Sequence, residues 1–303
     1  MKDVTITTIA AQAGVSHSTV SRALNNRPGI SDRVRAQIIR LADEMGYEKK
    51  RRGRVVGIII RLDPDGPDVY GSLLLYHLSS ALKEAGFRQK IVYEHDLSLL
   101  DEQSLCGMLS LLSLNHIARY WSRNYILPLV CLNDYSDLLG GVRAVCSNDY
   151  QGIRQSVDFL SGRGHKEIAL ACDLTETLNS LARQKHFLNI ANDYRLKPHI
   201  LSVSDKTEIP PQLSPPVTAL ICCSEHYSEP LYRAFSRDAK LMRKMDFALW
   251  AYPDCWWYRD SGCAVLFQDF RQLAAHSVAT LRWMLGETAE PPPPMVDYRF
   301  QVC

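Results

Sequence analysis

Five cations, Lys49, Lys50, Arg51, Arg52 and Arg54, close a basic segment at the start of a 303-residue chain whose formal charge is only +2. Residues 1–54 hold 11 Lys/Arg against 5 Asp/Glu, a net of +6, and the remainder stands at −4. A small basic head on a mildly acidic body suits contact with a polyanion at one end, and equally a solvated basic surface; charge alone leaves both open. Groupings that would do covalent or metal chemistry are missing: there is no G-x-S-x-G, P-loop, G-x-G-x-x-G or HExxH. The nine cysteines are odd in number and include no CxxC pair. Several sit in apolar runs, LVCL at 129–132 and LICC at 220–223, so they read as buried reduced thiols rather than bridges or metal ligands. His165, in GHKE, reads as a structural loop residue. No enzyme, cofactor or metal is expected.

The elements that carry these residues follow from hydrophobic periodicity. Ile6, Ile9, Ala10 and Ala13 recur at helical spacing, Gly14 interrupts, and a second short helix runs from His17 to Leu24 with Ser16 placed to cap it. A third helix over 32–45 presents Val34, Ile38, Leu41 and Met45 and stops at Gly46. Two short helices joined by a tight glycine turn and braced by a third make a helix-turn-helix, expected to occupy residues 1–47. A short basic linker, 48–54, leads to a body at 55–303. There, apolar runs at 55–61, 90–95, 106–111, 127–132, 167–172, 199–203, 218–223 and 246–251 read as strands, with another near 295–302. Helices are expected at 70–86, 151–163, 178–193, 228–244 and 270–286. Alternating strands and helices imply parallel sheets. No apolar stretch approaches the roughly 20 residues that span a membrane, and residues 1–10 contain no export-type apolar core, so a cytoplasmic chain is expected.

The segment IAAQAGVSHSTVSRALNNRPGISDRVRAQIIRLADEMGY resembles the head of the lac/gal repressor family of bacterial transcription regulators, through AGVS, TVSR-L-N and the closing GY. The resemblance implies that the second helix enters the major groove of operator DNA, with His17, Ser18 and Arg22 at base edges. Arg22 can give guanine O6 and N7 a bidentate pair. Thr5, Ser16, Thr19, Ser21 and Asn25 would hold phosphates. The family's hinge motif, P-N-x-x-A-R-x-L, is missing after Tyr47, where EKKRRGR stands. Lys49, Lys50, Arg51, Arg52 and Arg54 could lie in a narrow minor groove as an arm or make only phosphate contacts from a solvated tether.

The body resembles the same family. NDYQGIRQSVDFLSGRGHKEIAL matches its D-N-x-x-G…GH-x-x-I-A segment, ARQKHF its R-x-x-G-F, and VLFQDFRQLAAHSVATL its Q-D-F-R-x-L and S-V-x-x-L. The implied fold class is an all-α helix-turn-helix domain plus an α/β two-lobed periplasmic-binding-protein-like body, with an effector between the lobes. The implied function is repression of a sugar-utilisation operon, relieved by a small sugar, a galactoside among the candidates. The implied partners are double-stranded operator DNA and a second copy of the chain, in a dimer or tetramer. A regulator whose altered cleft senses a non-sugar ligand or none, or an activator, is the alternative. Sugar sites combine planar polar groups with an aromatic face. Arg183 aligns with the family's cleft arginine and Phe270 with a cleft aromatic. Asn148 stands where the family has a ligand-binding aspartate, with Asp149 beside it, and Ser224-Glu225 replaces an N-D pair. Trp250, Tyr252, Trp256, Trp257 and Tyr258 form an aromatic group around Asp254, and Asp63 lies just past the first strand.

Overall fold

The computed structural model describes residues 4–24, 29–45, 54–61, 69–99, 105–118, 127–134, 141–173, 178–203, 217–253, 257–259 and 261–303. The head is α1 (Ile6–Ala13), α2 (His17–Leu24) and α3 (Asp32–Glu44). Thr5 opens α1 with a capping box: its Oγ1 accepts from Thr8 N at 3.3 Å while Thr8 Oγ1 accepts from Thr5 N at 2.8 Å. Gly14 ends that helix at φ 65°, a left-handed conformation that a side chain would strain. Ser16 Oγ then accepts from Thr19 N at 3.1 Å, starting α2 on a tight turn. Ile9, Val20, Ala23, Ile38 and Ala42 bury themselves between the three helices, so the head carries a core of its own.

The amino-terminal lobe begins with β1 (Val55–Ile60), α4 (Val69–Glu84), β2 (Arg88–Tyr93), β3 (Gly107–Ser110), α5 (Leu114–Ile117), β4 (Leu129–Leu132) and β5 (Val142–Ser147). The chain then crosses to the second lobe: α6 (Asp149–Gly162), β6 (Glu167–Asp173), α7 (Leu178–Asp193), β7 (Lys197–Val203), β8 (Ala219–Cys222), α8 (Glu225–Ser236), α9 (Ala239–Met242), β9 (Asp246–Trp250) and β10 (Ala264–Phe267). It returns for α10 (Phe270–Met284) and β11 (Met295–Val296), and crosses a last time for β12 (Arg299–Val302). The sheet orders are β11-β5-β4-β3-β1-β2 and β12-β10-β9-β8-β6-β7, parallel throughout except for the β10–β12 pair. Buried strands such as VVGIII and ALIC need no alternation because helices cover both faces.

The single strand expected near 295–302 is two strands, one in each sheet, with Asp297 and Tyr298 spanning the lobes between them. The helix expected at 228–244 begins at Glu225 and breaks at Arg237, after which Asp238 Oδ1 accepts from Lys240 N and Leu241 N to start α9. Arg54 is not part of a free basic arm. Its guanidinium donates to the carbonyls of Ala85 (2.7 Å) and Gly86 (3.0 Å) at the end of α4, pairs with Glu287 at 3.3 Å and lies over the Phe87 ring. It ties the first residue of the lobe to the body.

Candidate functional site

The carboxyl ends of the strands of the two sheets meet a cavity of about 250 Å³, near the low end of small-ligand sites. Tyr70 at the start of α4 and Asn133 just after β4 come from the first lobe. Cys172, Asn179, Ser180, Arg183, Cys223, Ser224, Glu225, His226 and Tyr252 come from the second, and Gln268 from the crossover before α10. Placement beyond the carboxyl ends of parallel strands is where open α/β sheets bind ligands, because the loops there diverge and leave a crevice.

Arg183 is the best-supported polar group of the wall. Its Nε donates to Asp149 Oδ2 at 2.9 Å and its Nη1 to the carbonyl of Cys223 at 2.8 Å. The guanidinium lies 4.5 Å over the Trp250 ring, a cation–π contact, and Tyr298 Oη donates to the other Asp149 oxygen at 2.7 Å. Burial acts most strongly to depress the Arg183 pKa, but Asp149, Tyr298, Cys223 and Glu225 together more than offset it and hold the guanidinium above its usual range. Two of its five N–H donors are spent on the frame, and Arg183 lines the cavity. Side-chain immobilisation of this kind lowers the entropy lost when a ligand is gripped.

A second network joins the lobes. Gln268 Nε2 donates to Glu225 Oε1 at 2.6 Å, while Gln268 Oε1 accepts from Asn133 Nδ2 (3.0 Å) and Ser147 Oγ (3.1 Å). Asn133 Nδ2 also reaches Tyr70 Oη, and its main-chain oxygen accepts from Asn179 Nδ2 at 3.1 Å, directly across the cleft. Asn133 holds φ 50°, a backbone conformation asparagine tolerates better than most residues. Burial pushes the Glu225 carboxyl above its usual range, against the opposing pull of Arg183 and Gln268.

Of the residues expected to bind effector, Arg183 and Ser224 lie on the cavity wall and three others do not. Asn148 is the N-cap of α6: its Oδ1 accepts from Gln151 N at 3.2 Å and its Nδ2 donates to Asp297 at 2.8 Å. Cap geometry turns Asn148 aside and delivers the next residue, Asp149, to Arg183. Trp250 is fully buried as the floor under Arg183, and Phe270 is 2% exposed in the first lobe's core, edge-on to Tyr70 at 5.7 Å. Of the described aromatics in the 250–258 group, Tyr252 reaches the cavity, whereas Tyr258 packs in the second lobe's core and Trp257 against it. Asp63, Asp254 and Trp256 lie outside the described residues. Tyr70, Asn133, Asn179 and Gln268 escaped the reading of the sequence. Asn133 directly follows an apolar strand, and Asn179 precedes Arg183 by one helical turn; those positions were the available signals. His165 is structural: its ring bridges Thr218 Oγ1 (2.8 Å) and Asp246 Oδ2 (2.9 Å).

Gly152 shows how closely α6 packs on this frame. A Cβ there would stand 3.0 Å from the Tyr298 ring and 3.1 Å from the Trp250 ring. Gly152→Ala is therefore expected to cost about 1–3 kcal/mol by overpacking, read as a lowered denaturant midpoint with an unchanged slope.

In the head, His17, Ser18 and Arg22 are exposed on α2, with His17 and Ser18 at its start and Arg22 one turn further on. Ser16 and Thr19 hydroxyls are 2.8 Å apart, and Ser16 also meets Ser18 at 2.8 Å. Thr5 caps α1, and Ser21 is half-buried. Asn25, Lys50, Arg51 and Arg52 lie outside the described residues. Among the described residues, no group of three or more His, Cys, Asp or Glu could hold a metal ion, and no helix is long and apolar enough to cross a membrane.

The described residues thus form a helix-turn-helix head and a two-lobed body with a polar cleft. Residues 5–50 match the model for bacterial regulatory proteins of the lacI family. The chain is 28% identical to the probable HTH-type transcriptional repressor ExuR of Bacillus subtilis over 208 residues, covering 61% of this chain and 60% of that one. It is 26% identical to the HTH-type transcriptional regulator TreR of Escherichia coli, over 73% of this chain and 75% of TreR. The match to ExuR thus spans less than two thirds of that relative's length. In fold, the lac repressor dimer bound to operator and the anti-inducer ONPF superposes with a TM-score of 0.62 at 18% identity, covering 99% of this chain and 98% of that one. The head thus matches the lacI family of bacterial regulatory proteins, and the body is similar in sequence to HTH-type regulators and in fold to the lac repressor.

Proposed function

We propose that the chain is a sequence-specific transcriptional repressor of a sugar-utilisation operon, a non-enzymatic cytoplasmic homodimer released from its operator by a small sugar bound between the lobes. The observation that carries this reading is the pairing of an exposed α2 face, His17, Ser18 and Arg22, with an interlobe cavity built around a fixed guanidinium. Residues 1–47 form the reading head, 48–54 the basic linker and 55–303 the effector and dimerisation body. Thr5, Ser16, Thr19, Ser21, Asn25, Lys50, Arg51 and Arg52 contact phosphates or the minor groove. Arg183, Ser224, Glu225, Asn179 and Gln268 supply hydroxyl partners, and Tyr252 an apolar face. Because Asn133 and Asn179 bond across the cleft, a ligand touching both lobes changes their separation and so the spacing of two heads; a coupling of about 1–3 kcal/mol suffices for regulation.

Cavity charge supports an uncharged ligand. The Arg183 cation is matched by Asp149, so Glu225, although burial pushes its carboxyl above the usual range, is left as the further acidic group of the wall. A neutral mono- or disaccharide is expected to raise the melting temperature, and the corresponding uronic acid or sugar phosphate to raise it far less. Glu225→Gln should narrow that gap about tenfold in affinity, roughly 1.4 kcal/mol. A thermal-shift screen in which no sugar of either charge stabilises the protein contradicts the effector reading.

A further inference from the structure

Cys172 near the end of β6 and Cys223 just past β8 lie on adjacent parallel strands, whose register sets Ala171 opposite Cys222. One residue further along, Cys172 and Cys223 stand side by side. Both join the core cluster on the α6–α7 side of the sheet, whereas Cys222 joins the cluster on the opposite face. Neighbouring strands run about 4.8 Å apart, inside the range of about 4.4–6.8 Å that disulfides span between Cα atoms. The Cys223 thiol donates to the carbonyl of Ala171, the residue before Cys172, at 3.4 Å; both thiols are outside any disulfide, and both form part of the cavity wall beside Arg183.

Their surroundings differ in a useful way. The Cys223 hydrogen bond holds the Cys172 thiol below its usual range despite burial, with help from Ser180, Gln184 and the Arg183 charge. Cys223 moves the other way, raised by that same bond and by burial. The remaining strand cysteines lack this arrangement: burial pushes Cys146 up to about 12 and Cys222 to about 11. A thiol next to a cation, open to a cavity and beside a second thiol has the make-up of an oxidant-sensing cysteine with its resolving partner.

We propose that Cys172 and Cys223 form an oxidant-responsive dithiol in the wall of the cavity, with hydroperoxides as its substrates. The Cys172 thiolate attacks the peroxide oxygen, the O–O bond breaks, and the departing hydroxide takes up a proton as water, leaving a sulfenic acid. Cys223 then attacks that sulfur, the S–O bond breaks, and a second water leaves with the Cys223 proton. Two thiols and one hydrogen peroxide give one disulfide and two waters. Because Arg183 donates to the Cys223 carbonyl, closing the disulfide shifts the strand end that helps seat the guanidinium. The consequence, a loss of sugar affinity of at least tenfold, rests on the effector reading above; the oxidation itself does not.

The test uses the full-length reduced chain, treated with hydrogen peroxide, alkylated and mapped by peptide mass spectrometry with fragmentation to separate Cys222 from Cys223. The expected product is a Cys172–Cys223 cross-link, reversed by dithiothreitol, with Cys131 and Cys146 still recovered as free thiols. Recovery of Cys172 as a free thiol, or its conversion to sulfinic acid without a cross-link, overturns the proposal. Cys172→Ser should abolish the cross-link; a cross-link that instead forms between other cysteines in that variant argues against a dedicated pair. Sugar-induced thermal shifts measured before oxidation, after it and after reduction read the coupling. An unchanged shift in the cross-linked protein overturns the coupling alone, and a missing shift in the reduced protein contradicts the effector reading while the peptide map still decides the dithiol.

Discussion

Arg183→Ala is expected to abolish the response to sugar, leave operator binding in place, and lower stability by about 3 kcal/mol. The stability loss follows from Asp149, whose side chain is only 1% exposed and which would lose its cationic partner. Removing one partner of a buried pair costs more than the pair contributes, because the remaining ion is left in a poor solvent. Tyr298 Oη still donates to Asp149, which places the loss at the lower end of the usual range. The functional loss follows from the rest of the fork, which no smaller side chain supplies. Arg183→Lys separates the two effects: a point charge should recover most of the stability beside Asp149 without restoring planar, bidentate recognition of neighbouring hydroxyls. Urea titration of both variants reads the first effect, and release of labelled operator by sugar reads the second. An Arg183→Ala protein that still leaves DNA when sugar is added contradicts the assignment of the cavity.

The second large effect lies in the head. Arg22→Ala is expected to reduce discrimination between the operator and unrelated DNA by about ten- to a hundredfold, equivalent to 1–3 kcal/mol for a lost bidentate base contact. Arg22 is exposed on α2, apart from the Ile9–Val20–Ile38 core, so its truncation leaves the head folded. Weak binding should persist with its steep salt dependence, because phosphate contacts and counterion release do not depend on this side chain. Sites selected from a randomised DNA pool by both proteins provide the comparison; an unchanged preferred sequence removes Arg22 from the reading face.

The head was legible residue by residue because short helices announce themselves through caps: Thr5, Gly14 and Ser16 stand where the chain must start or stop. In the body, alternation predicted two parallel sheets, but it missed β5 and β10. VRAVCS is interrupted by Arg143, whose guanidinium lies 5.5 Å over the Trp283 ring, and a period-based reading discounts a charged residue in a buried parallel strand. AVLF runs straight into the Gln268–Asp269 crossover and is too short to stand out. The site was legible where one side chain dominates, at Arg183, and not where geometry assigns the role. Asn148 and Asp149 differ by one position, and only the N-cap of α6 decides which of them meets the guanidinium. Trp250 and Phe270 are aromatic at the expected places, yet the first lies beneath the arginine and the second inside a lobe, since an aligned ring says nothing about its depth. Tyr70, Asn133 and Gln268 come together from positions almost 200 residues apart in the chain, a juxtaposition that only the closed topology supplies.

The most direct test of an interlobe sugar coupled to the DNA-reading head is fluorescence anisotropy of the full-length protein on a selected operator, titrated with neutral mono- and disaccharides. At least one neutral sugar should lower operator affinity tenfold or more in the wild type and leave Arg183→Ala bound. Operator affinity that no sugar alters in a protein those same sugars stabilise against heat would show a binding cleft uncoupled from the head, and would contradict the account.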